Sequence, residues 1–498
     1  ELFPRSENHE KGASLIEVID KTHTPMGARL LRQWLVMPLR DRIAIEERHN
    51  VVSSLLEQWE LVGKLRKMLS QVGDMERIVS RAAAGRISPR EVAQLRTGLN
   101  QASRIKNLTA QIPSADPVHS LASGLDDCAA LADKLQQMIV SSPAVQPGKG
   151  NVIAPGVDPQ LDELRHILSH NKEYLQQMQQ EAAGQTGISS LKIGFNNVFG
   201  YYIEVRNTHK DKVPGSWIRK QTLVSAERYI TEELKSYEEK ILGAEEKIAQ
   251  LEQDLFNRVV DAIRASIPPI QQNARILARL DCLLGFAILA REQKYARPRM
   301  QDDDVIDIRQ GRHPVLETLM PPGEAYVPND VYLDTGQQQI IILTGPNMAG
   351  KSALLRQTGL IMLLAQIGSY VPAKEASLGI IDKLFTRVGA SDNIARREST
   401  FMVEMLESAA ILNNVTDRSL VLFDEIGRGT STYDGISIAW AIVEYLHEKA
   451  GARARTLFAT HYHELNQMAE QYPRVKNFHI AVKERGQKVL FLRKMISG

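Results

Sequence analysis

The sequence contains little cysteine and no long hydrophobic run. Its two cysteines, Cys128 and Cys282, are far apart, which excludes a disulfide framework and the paired spacing of a zinc site. A membrane-spanning helix needs about 20 consecutive apolar residues, and no such stretch occurs. The first residues, Glu1-Leu-Phe-Pro4, contain neither an initiator Met nor a signal peptide. We therefore expect a piece of a longer protein that works in a reducing, cytoplasmic compartment.

Neither sign of charge dominates the composition, because 61 basic residues are balanced by 59 acidic ones. Hydrophobic residues make up 43% of the chain and charged residues 24%, as is usual for globular proteins. A chain of 498 residues is too long for one hydrophobic core and predicts about three domains.

The first half of the chain has a helical pattern with one interruption. Residues 1–180 carry apolar residues at helical spacing, separated by breakers such as Pro38 and Pro89, so we expect a helical core. Residues 181–232 contain two alternating runs on either side of Asn196-Asn197, which predict a small β-rich insert between helices.

Long helices and then an α/β pattern follow the insert. Residues 233–297 begin with an apolar heptad repeat at Leu234, Ile241, Ile248 and Leu255, which predicts a long helix and further helices returning to the core. Packing on neighbouring helices explains this repeat better than a separate dimerisation zipper. Residues 298–498 alternate strand and helix patterns, so we expect an α/β domain.

A complete phosphate-binding motif lies in the α/β region. Gly345-Pro-Asn-Met-Ala-Gly350-Lys351-Ser352 follows the apolar strand Ile340–Leu343 and precedes a helix-like stretch. Glycines let backbone N–H groups surround a phosphate, the lysine reaches the outer phosphates and Ser352 can ligate Mg²⁺. The alternative is an ordinary strand–turn–helix with a chance lysine, but the motif and its flanks favour a nucleoside triphosphate.

A second motif places two carboxylates at the end of a buried strand. In Leu420-Val-Leu-Phe-Asp-Glu425, Asp424 is suited to hold Mg²⁺ through water and Glu425 to act as general base for an attacking water. On its own the run would also fit a strand ending in solvated acids. Together with the phosphate-binding loop, it predicts hydrolysis of the nucleotide.

Two further residues fit the same chemistry. His461, which follows the short apolar strand Leu457-Phe-Ala459, could sense the γ-phosphate. Ser399 starts a helix-like segment, where a hydroxyl can cap backbone N–H groups or donate to an anion. Taken singly, residues of this kind are more often a satisfied strand-end histidine and a plain helix cap.

These motifs together resemble the MutS family of DNA mismatch-repair ATPases, which belong to the ABC-type ATPase class. The resemblance covers nearly the whole chain, including Thr24–Leu31 of the helical region and Gly200–Val205 of the insert. Its most specific segments are Thr344–Ser352, Ser399–Met405, Asp424–Gly435 and Ala459–Tyr462. It implies an all-α core with long lever helices, a β-rich DNA clamp and a C-terminal ABC-type P-loop ATPase domain.

The resemblance also implies a dimer with two composite sites for ATP and Mg²⁺. One subunit would supply Lys351, Glu425 and His461 for catalysis, and Ser352 and Asp424 for the metal, while the partner would supply its Ser399. Tyr326 and His479 would flank the adenine. The remaining nucleotide-binding residues would be those of the loop: Gly345, Pro346, Asn347, Met348, Ala349 and Gly350. Further expectations are a location in the bacterial cytoplasm or nucleoid and a downstream repair factor of the MutL type.

Two features depart from the family pattern. Arg396-Arg397-Glu398 stands before Ser399, where relatives carry a small residue and a glycine, so the contact with the partner's nucleotide is affected. The mismatch-reading N-terminal domain and the C-terminal helix-turn-helix of the family also lie outside residues 1–498. We therefore keep two alternatives: a relative that binds recombination junctions, and an ATP-switched DNA scaffold with little hydrolysis.

The β-rich insert has an excess of basic residues. Between Lys192 and Arg228, seven basic residues stand against three acidic ones, whereas the helix that follows is acidic. A basic hairpin region suits contact with the phosphates of double-stranded DNA, without sequence preference, although solvated hairpins often carry such charges. The predicted contacts are Lys210, Lys212, Arg219 and Lys220.

Overall fold

The computed structural model describes residues 2–4, 14–196, 200–321, 323–346, 349–388, 400–485 and 488–498. The chain forms two compact units. The first unit contains residues 1–70, 105–125 and 275–498, and the second contains residues 71–104 and 126–274.

The helices are distributed over both units. In chain order they are α1 (Leu15–Ile19), α2 (Pro25–Val36), α3 (Arg42–Glu57), α4 (Trp59–Leu69), α5 (Met75–Ala83), α6 (Pro89–Thr109), α7 (Pro117–Ser123), α8 (Ala129–Met138), α9 (Pro159–Ser169), α10 (Asn171–Thr186), α11 (Glu232–Ala265), α12 (Ile267–Gln293), α13 (Lys351–Ile367), α14 (Thr400–Asn414), α15 (Thr432–Glu448) and α16 (Met468–Gln471).

The strands build three sheets. In chain order they are β1 (Lys192–Asn196), β2 (Gly200–Arg206), β3 (Ile218–Thr222), β4 (Ala226–Ile230), β5 (Arg299–Gln301), β6 (Ile306–Gly311), β7 (Asn329–Leu333), β8 (Ile340–Thr344), β9 (Glu375–Gly379), β10 (Leu384–Arg387), β11 (Leu420–Asp424), β12 (Arg455–Ala459), β13 (Val475–Arg485) and β14 (Lys488–Ser497).

A six-stranded sheet forms the centre of the first unit, in the order β10-β11-β12-β8-β13-β14. Its first five strands are parallel, and β14 pairs antiparallel with β13. Every residue of β8 and β12 is buried, as expected of a parallel sheet covered on both faces. The register sets Asp424 opposite Ala459 and Ala459 opposite Leu343, so three strands end side by side. A mixed four-stranded sheet, in the order β5-β9-β6-β7, completes this unit.

The C-terminal end of α13 is bonded to the connection between α2 and α3. The buried side-chain amide of Gln366 donates to the carbonyl of Leu39 at 2.8 Å, and the Leu39 N–H donates to the Gln366 carbonyl at 3.0 Å. Arg48 of α3 donates to the carbonyl of Ile367 at 2.7 Å. The helix ends at Ile367 and is capped by Gly368, whose φ of +92° favours a glycine.

The second unit contains an antiparallel sheet in the order β1-β2-β4-β3. Ile203, Val205 and Tyr229 lie on its buried face, against residues such as Met178 of α10 and Leu234 of α11. Strand alternation therefore places one face on a small core, as the sequence pattern predicted. The helix α11 starts immediately after this sheet and extends over 34 residues.

Helices and mixed sheets are thus present, as the sequence predicted, and the long helix and the β-rich insert lie at the expected positions. The division into domains at residues 180, 232 and 297 stays a prediction. Within the described ranges, no helix is both long and apolar enough to cross a lipid bilayer.

Candidate nucleotide site and DNA-binding surface

The phosphate-binding motif lies between β8 and α13. Gly345 and Gly350 adopt φ values of +147° and +107°, a region that glycine enters at little cost. A Cβ added at Gly345 would lie 3.4 Å from the Cβ of Ile480 on β13, so the loop passes close to this strand. Pro346 and Ala349 complete the described part of the loop. Asn347 and Met348, both predicted to bind the nucleotide, lie outside the described residues.

Lys351 is folded back into the loop that precedes it. Its side chain is only 4% exposed, and its ammonium group donates to the carbonyls of Gly345 and Pro346 at 2.7 and 3.2 Å. Nζ also lies 3.6 Å from Oε1 of Glu425. Burial lowers the pKa of Lys351, and the carboxylates of Glu425 and Asp424 oppose this shift. The loop therefore holds a buried cation beside two acids.

Asp424 ends β11 with a carboxylate that is only partly satisfied. Its side chain forms a hydrogen bond with Ser352, whereas its buried Oδ1 has no hydrogen-bond partner among the described residues. Burial raises the pKa of Asp424. A carboxylate and a hydroxyl are hard oxygen ligands of the kind that Mg²⁺ prefers, and a buried acid oxygen without a partner is costly unless a cation or water meets it. These two residues therefore fit the predicted metal.

Glu425 has an unusual backbone conformation and several charged neighbours. Its φ of +59° is left-handed, a conformation that costs a non-glycine residue about 1–3 kcal/mol and is frequent at functional sites. The carboxylate is 18% exposed and pairs with Arg428 at 2.6 Å. It also accepts from the Nε2 atom of His461, and Arg428 lies 3.2 Å from the same nitrogen. Lys351, Glu425, Arg428 and His461 therefore form one cluster.

Tyr326 and His479, the two residues predicted to flank the adenine, lie further from the phosphate-binding loop along the chain. The hydroxyl of Tyr326 donates to Oε1 of Gln357 on α13 at 3.1 Å, and burial raises the pKa of this tyrosine. His479 lies on β13 opposite Thr344, the last residue of β8. Both residues adjoin elements that flank the phosphate loop. Ser399 and the preceding Arg396-Arg397-Glu398 lie outside the described residues, and α14 begins at Thr400.

Arg428 is part of the cluster but was missed from the sequence. It lies three residues after Glu425 within the Asp424–Gly435 motif, and that spacing was the available signal. The motif led us to the two acids at the strand end. Only the turn that follows β11 brings the guanidinium back to the carboxylate.

The basic residues of the insert are exposed in the second unit. Lys210 and Lys212 belong to a 3₁₀ turn after β2, and Arg219 and Lys220 lie on the edge strand β3. All four side chains are exposed, and Arg219 lies 3.5 Å from Glu227. By contrast, Arg228 is held at 4.1 Å over the ring of Tyr202 and bonded to Glu204. The predicted contacts thus share an open basic surface, while Arg228 is used inside the sheet.

Comparison with known proteins gives the same family over both units. Residues 1–287 match the family model described as MutS domain III, and residues 341–498 match the one described as MutS domain V. The DNA mismatch repair protein MutS of Parabacteroides distasonis is 60% identical to this chain over 491 residues, which are 98% of this chain and 56% of that protein. Proteins of the same name from Bacteroides thetaiotaomicron and Porphyromonas gingivalis are 59% and 55% identical, and each match covers 98% of this chain.

The chain spans little more than half the length of these relatives, since the matches cover 55–57% of them. The resemblance seen in the sequence motifs is confirmed, because the domain III match alone includes more than half of the chain. The chain belongs to the MutS family.

Proposed function

We propose that this chain is the core, clamp and ATPase part of a DNA mismatch-repair protein, which binds and hydrolyses ATP and contacts double-stranded DNA. The observation that carries the proposal is the cluster at the ends of β8, β11 and β12. There Lys351 and His461 both contact the carboxylate of Glu425 beside the phosphate-binding loop. The names of the relatives support the role in mismatch repair.

The loop and the start of α13 would bind the triphosphate. Backbone N–H groups at the glycine-rich turn and the positive end of the helix dipole attract phosphate oxygens. Lys351 is already held there by two carbonyls, so little side-chain entropy is lost when the ammonium turns to an anion. Tyr326 and His479 would contact the adenine from the elements on either side.

The metal would be held by Ser352 and Asp424. When bound, Mg²⁺ would neutralise phosphate charge that develops during hydrolysis. The Ser352–Asp424 hydrogen bond orients the carboxylate before any ligand arrives.

Glu425 would accept a proton from the attacking water. That water would form a bond to the γ-phosphorus while the bond from this phosphorus to the bridging oxygen breaks, which releases ADP and phosphate. Arg428 and His461 hold the carboxylate in place, and His461 can donate its ring hydrogen to a phosphate oxygen once it leaves Glu425. A base of this kind contributes about 10²–10⁴-fold to a rate.

We further propose that two copies of the chain meet near α14 and α15. Met402 and Leu406 of α14 and Tyr433 of α15 are 56%, 59% and 85% exposed, and exposed apolar side chains that form a patch mark protein–protein contacts. Ser399 precedes α14 directly and would serve the nucleotide of the second copy. In the whole protein, the nucleotide state would move the long helices α11 and α12 as levers and close the clamp on DNA, before a factor of the MutL type is engaged.

One observation favours the alternative of an ATP-switched scaffold with little hydrolysis. The carboxylate of Glu425 is paired with Arg428, His461 and Lys351 at the same time. A base that is held this firmly must lose a partner before it can take a proton from water.

Steady-state ATP hydrolysis by the chain and by Glu425→Gln tests the proposal. We expect kcat to fall by about 100-fold or more, while the affinity for ATP stays within about threefold because Gln preserves the shape of the side chain. Glu470→Gln, an exposed glutamate on α16, is the control and should hydrolyse ATP like the parent chain. If the chain and Glu425→Gln bind ATP and are equally slow, hydrolysis is refuted and the scaffold interpretation stands.

A further inference from the structure

Glu404 is a buried acid on α14 that the reaction does not use. Its residue is only 6% exposed, and Ser408 and Ile411 share the same buried face of the helix. Acidic side chains are almost never fully buried without a partner. Here the carboxylate accepts a hydrogen bond from the backbone N–H of Gly427.

Gly427 belongs to the turn that follows Glu425, and both its backbone N–H and its carbonyl are hydrogen-bonded to side chains. Its carbonyl accepts from the hydroxyl of Tyr462 at 3.0 Å, while its N–H donates to Glu404. Its φ is +91°, and an added Cβ would lie 2.6 Å from the Cα of Gly435. Burial raises the pKa of Tyr462, and the charge of Glu404 adds to that shift. The backbone of the turn is therefore hydrogen-bonded on both sides of Gly427 and packs closely against Gly435.

A second contact joins the same helix to the same turn. A Cβ added at Gly429 would lie 2.8 Å from the Cβ of Phe401. Phe401 and Glu404 are three residues apart and so lie on one face of α14. Two successive glycines of the turn, Gly427 and Gly429, therefore rest on one helix face.

On the N-terminal side of Gly427, the chain leads back to Glu425, the residue with the strained backbone. Glu425 keeps its left-handed φ while its N–H donates to the carbonyl of Ala459 at 2.8 Å. The backbone before the Glu425 side chain is thus held by a bond to β12, and the backbone after it is held two residues later, at Gly427. A shift of α14 therefore reaches the backbone of Glu425 through the Glu404–Gly427 bond.

We infer that Glu404 is a positioning residue, which ties α14 to the turn after β11 and so holds the Glu425 carboxylate in its reactive place. This inference rests on the proposed hydrolysis of ATP. Glu404 is buried against the turn and is bonded to its backbone, so its loss should lower kcat while the KM for ATP changes little. Gln at this position keeps an acceptor oxygen and should preserve the bond.

Three variants separate the possibilities: Glu404→Leu, which removes the acceptor; Glu404→Gln, which keeps it; and Glu407→Leu, which changes an exposed glutamate of the same helix that pairs with Arg387. For each variant we would measure kcat, KM and thermal unfolding. Amide hydrogen exchange of the peptide containing residues 425–431 gives a readout that does not depend on turnover.

For Glu404→Leu we expect about 10-fold faster exchange in that peptide and kcat lower by about 10- to 100-fold, as for the loss of one charge-assisted hydrogen bond. KM should stay within about twofold. Glu404→Gln should keep kcat within about threefold, and Glu407→Leu should match the parent chain in exchange and kcat.

Unchanged exchange and kcat in Glu404→Leu would overturn the inference, provided that turnover of the parent chain depends on Glu425. Equal losses in Glu404→Leu and Glu404→Gln, with KM and the unfolding temperature changed in parallel, would show a role in folding instead. If the parent chain shows no turnover that depends on Glu425, the proposed hydrolysis fails. The exchange data would then decide by themselves whether Glu404 holds the turn.

Discussion

The six-stranded sheet of the first unit and the four-stranded sheet of the second place their polar residues in opposite ways. In the first, β8 and β12 are buried along their whole length, and the charged groups gather where the strands end. In the second, the edge strand β3 is exposed at every position except one, and its charges are spread along the surface. The first sheet concentrates its chemistry at one edge, and the second distributes it over a face.

This contrast has a physical consequence for substitutions. Buried charges interact in a low dielectric and have no water to replace a lost partner, so each one counts heavily. Exposed charges are screened by salt, and each exposed ion pair contributes at most about 1 kcal/mol to stability or binding. Single changes should therefore disable the first sheet, while the second should respond only to several changes together.

The largest effect should follow from Lys351→Ala. Because this buried ammonium would bond an anionic ligand, its removal should weaken ATP binding by about 100-fold, measured by titration with a fluorescent ATP analogue. Lys383→Ala is the matched control, since Lys383 also donates to a backbone carbonyl, that of Asn414, but is exposed. The control should bind like the parent chain. Binding within about threefold of the parent by Lys351→Ala would mean that the loop is not the nucleotide site.

Acid should weaken the first unit through two buried histidines. Burial lowers the pKa of both His49 and His313 to about 4, whereas the unfolded value is about 6.5. Their neutral forms therefore stabilise the fold above pH 6.5, and this contribution is lost as the pH falls from about 6.5 toward 4. Each histidine accounts for up to about 3 kcal/mol.

Urea unfolding at pH 7.5 and pH 5 checks this expectation. Single-tryptophan variants would report on each unit, with Trp34 in the first and Trp217 beside the core of the second. The urea midpoint reported by Trp34 should be lower at pH 5 than at pH 7.5. In the His49→Met variant, this decrease should be smaller. An identical Trp34 midpoint at both pH values would contradict the predicted titration.

The smallest effect per residue should come from the basic surface of the second unit. Changing Lys210, Lys212, Arg219 and Lys220 together to Gln should weaken binding to double-stranded DNA by about 10-fold near 0.1 M salt. The slope of log affinity against log salt should fall by up to about 3.5, and each single change should cost less than about twofold. The control changes four exposed lysines of the same unit: Lys172, Lys235, Lys240 and Lys247. If the two quadruple variants have the same DNA affinity and the same salt dependence, the proposed DNA contact does not lie on this basic surface.

Much of the candidate nucleotide site could be predicted from the sequence because the positions of its parts follow from strand register. An apolar strand ending in Asp424-Glu425, another ending before His461 and a third ending in the glycine-rich loop must meet at one edge if they are parallel neighbours. The long helix α11 and the hairpin of β1 and β2 were similarly predictable from heptad and alternating patterns.

The contacts of the turn after β11 could not be predicted in this way. The pairing of Arg428 with Glu425 depends on a left-handed residue in a turn, and sequence patterns do not specify that conformation. Likewise, helical spacing predicts that α14 is a helix but does not tell which element its Glu404 meets. The strand order β1-β2-β4-β3 of the insert is also set by packing that no local pattern records.

The length of α13 is constrained from both of its ends. The helix starts at Lys351 in the phosphate-binding loop and has 17 residues. At its other end, the carbonyls of Gln366 and Ile367 accept hydrogen bonds from the Leu39 N–H and the Arg48 guanidinium. One inserted or deleted residue would turn one end relative to the other by about 100° and shift it by about 1.5 Å. Either the phosphate-binding loop or the end of α13 that is bonded to Leu39 and Arg48 would then lose its partners. This helix should therefore accept substitutions on its surface but no change in length.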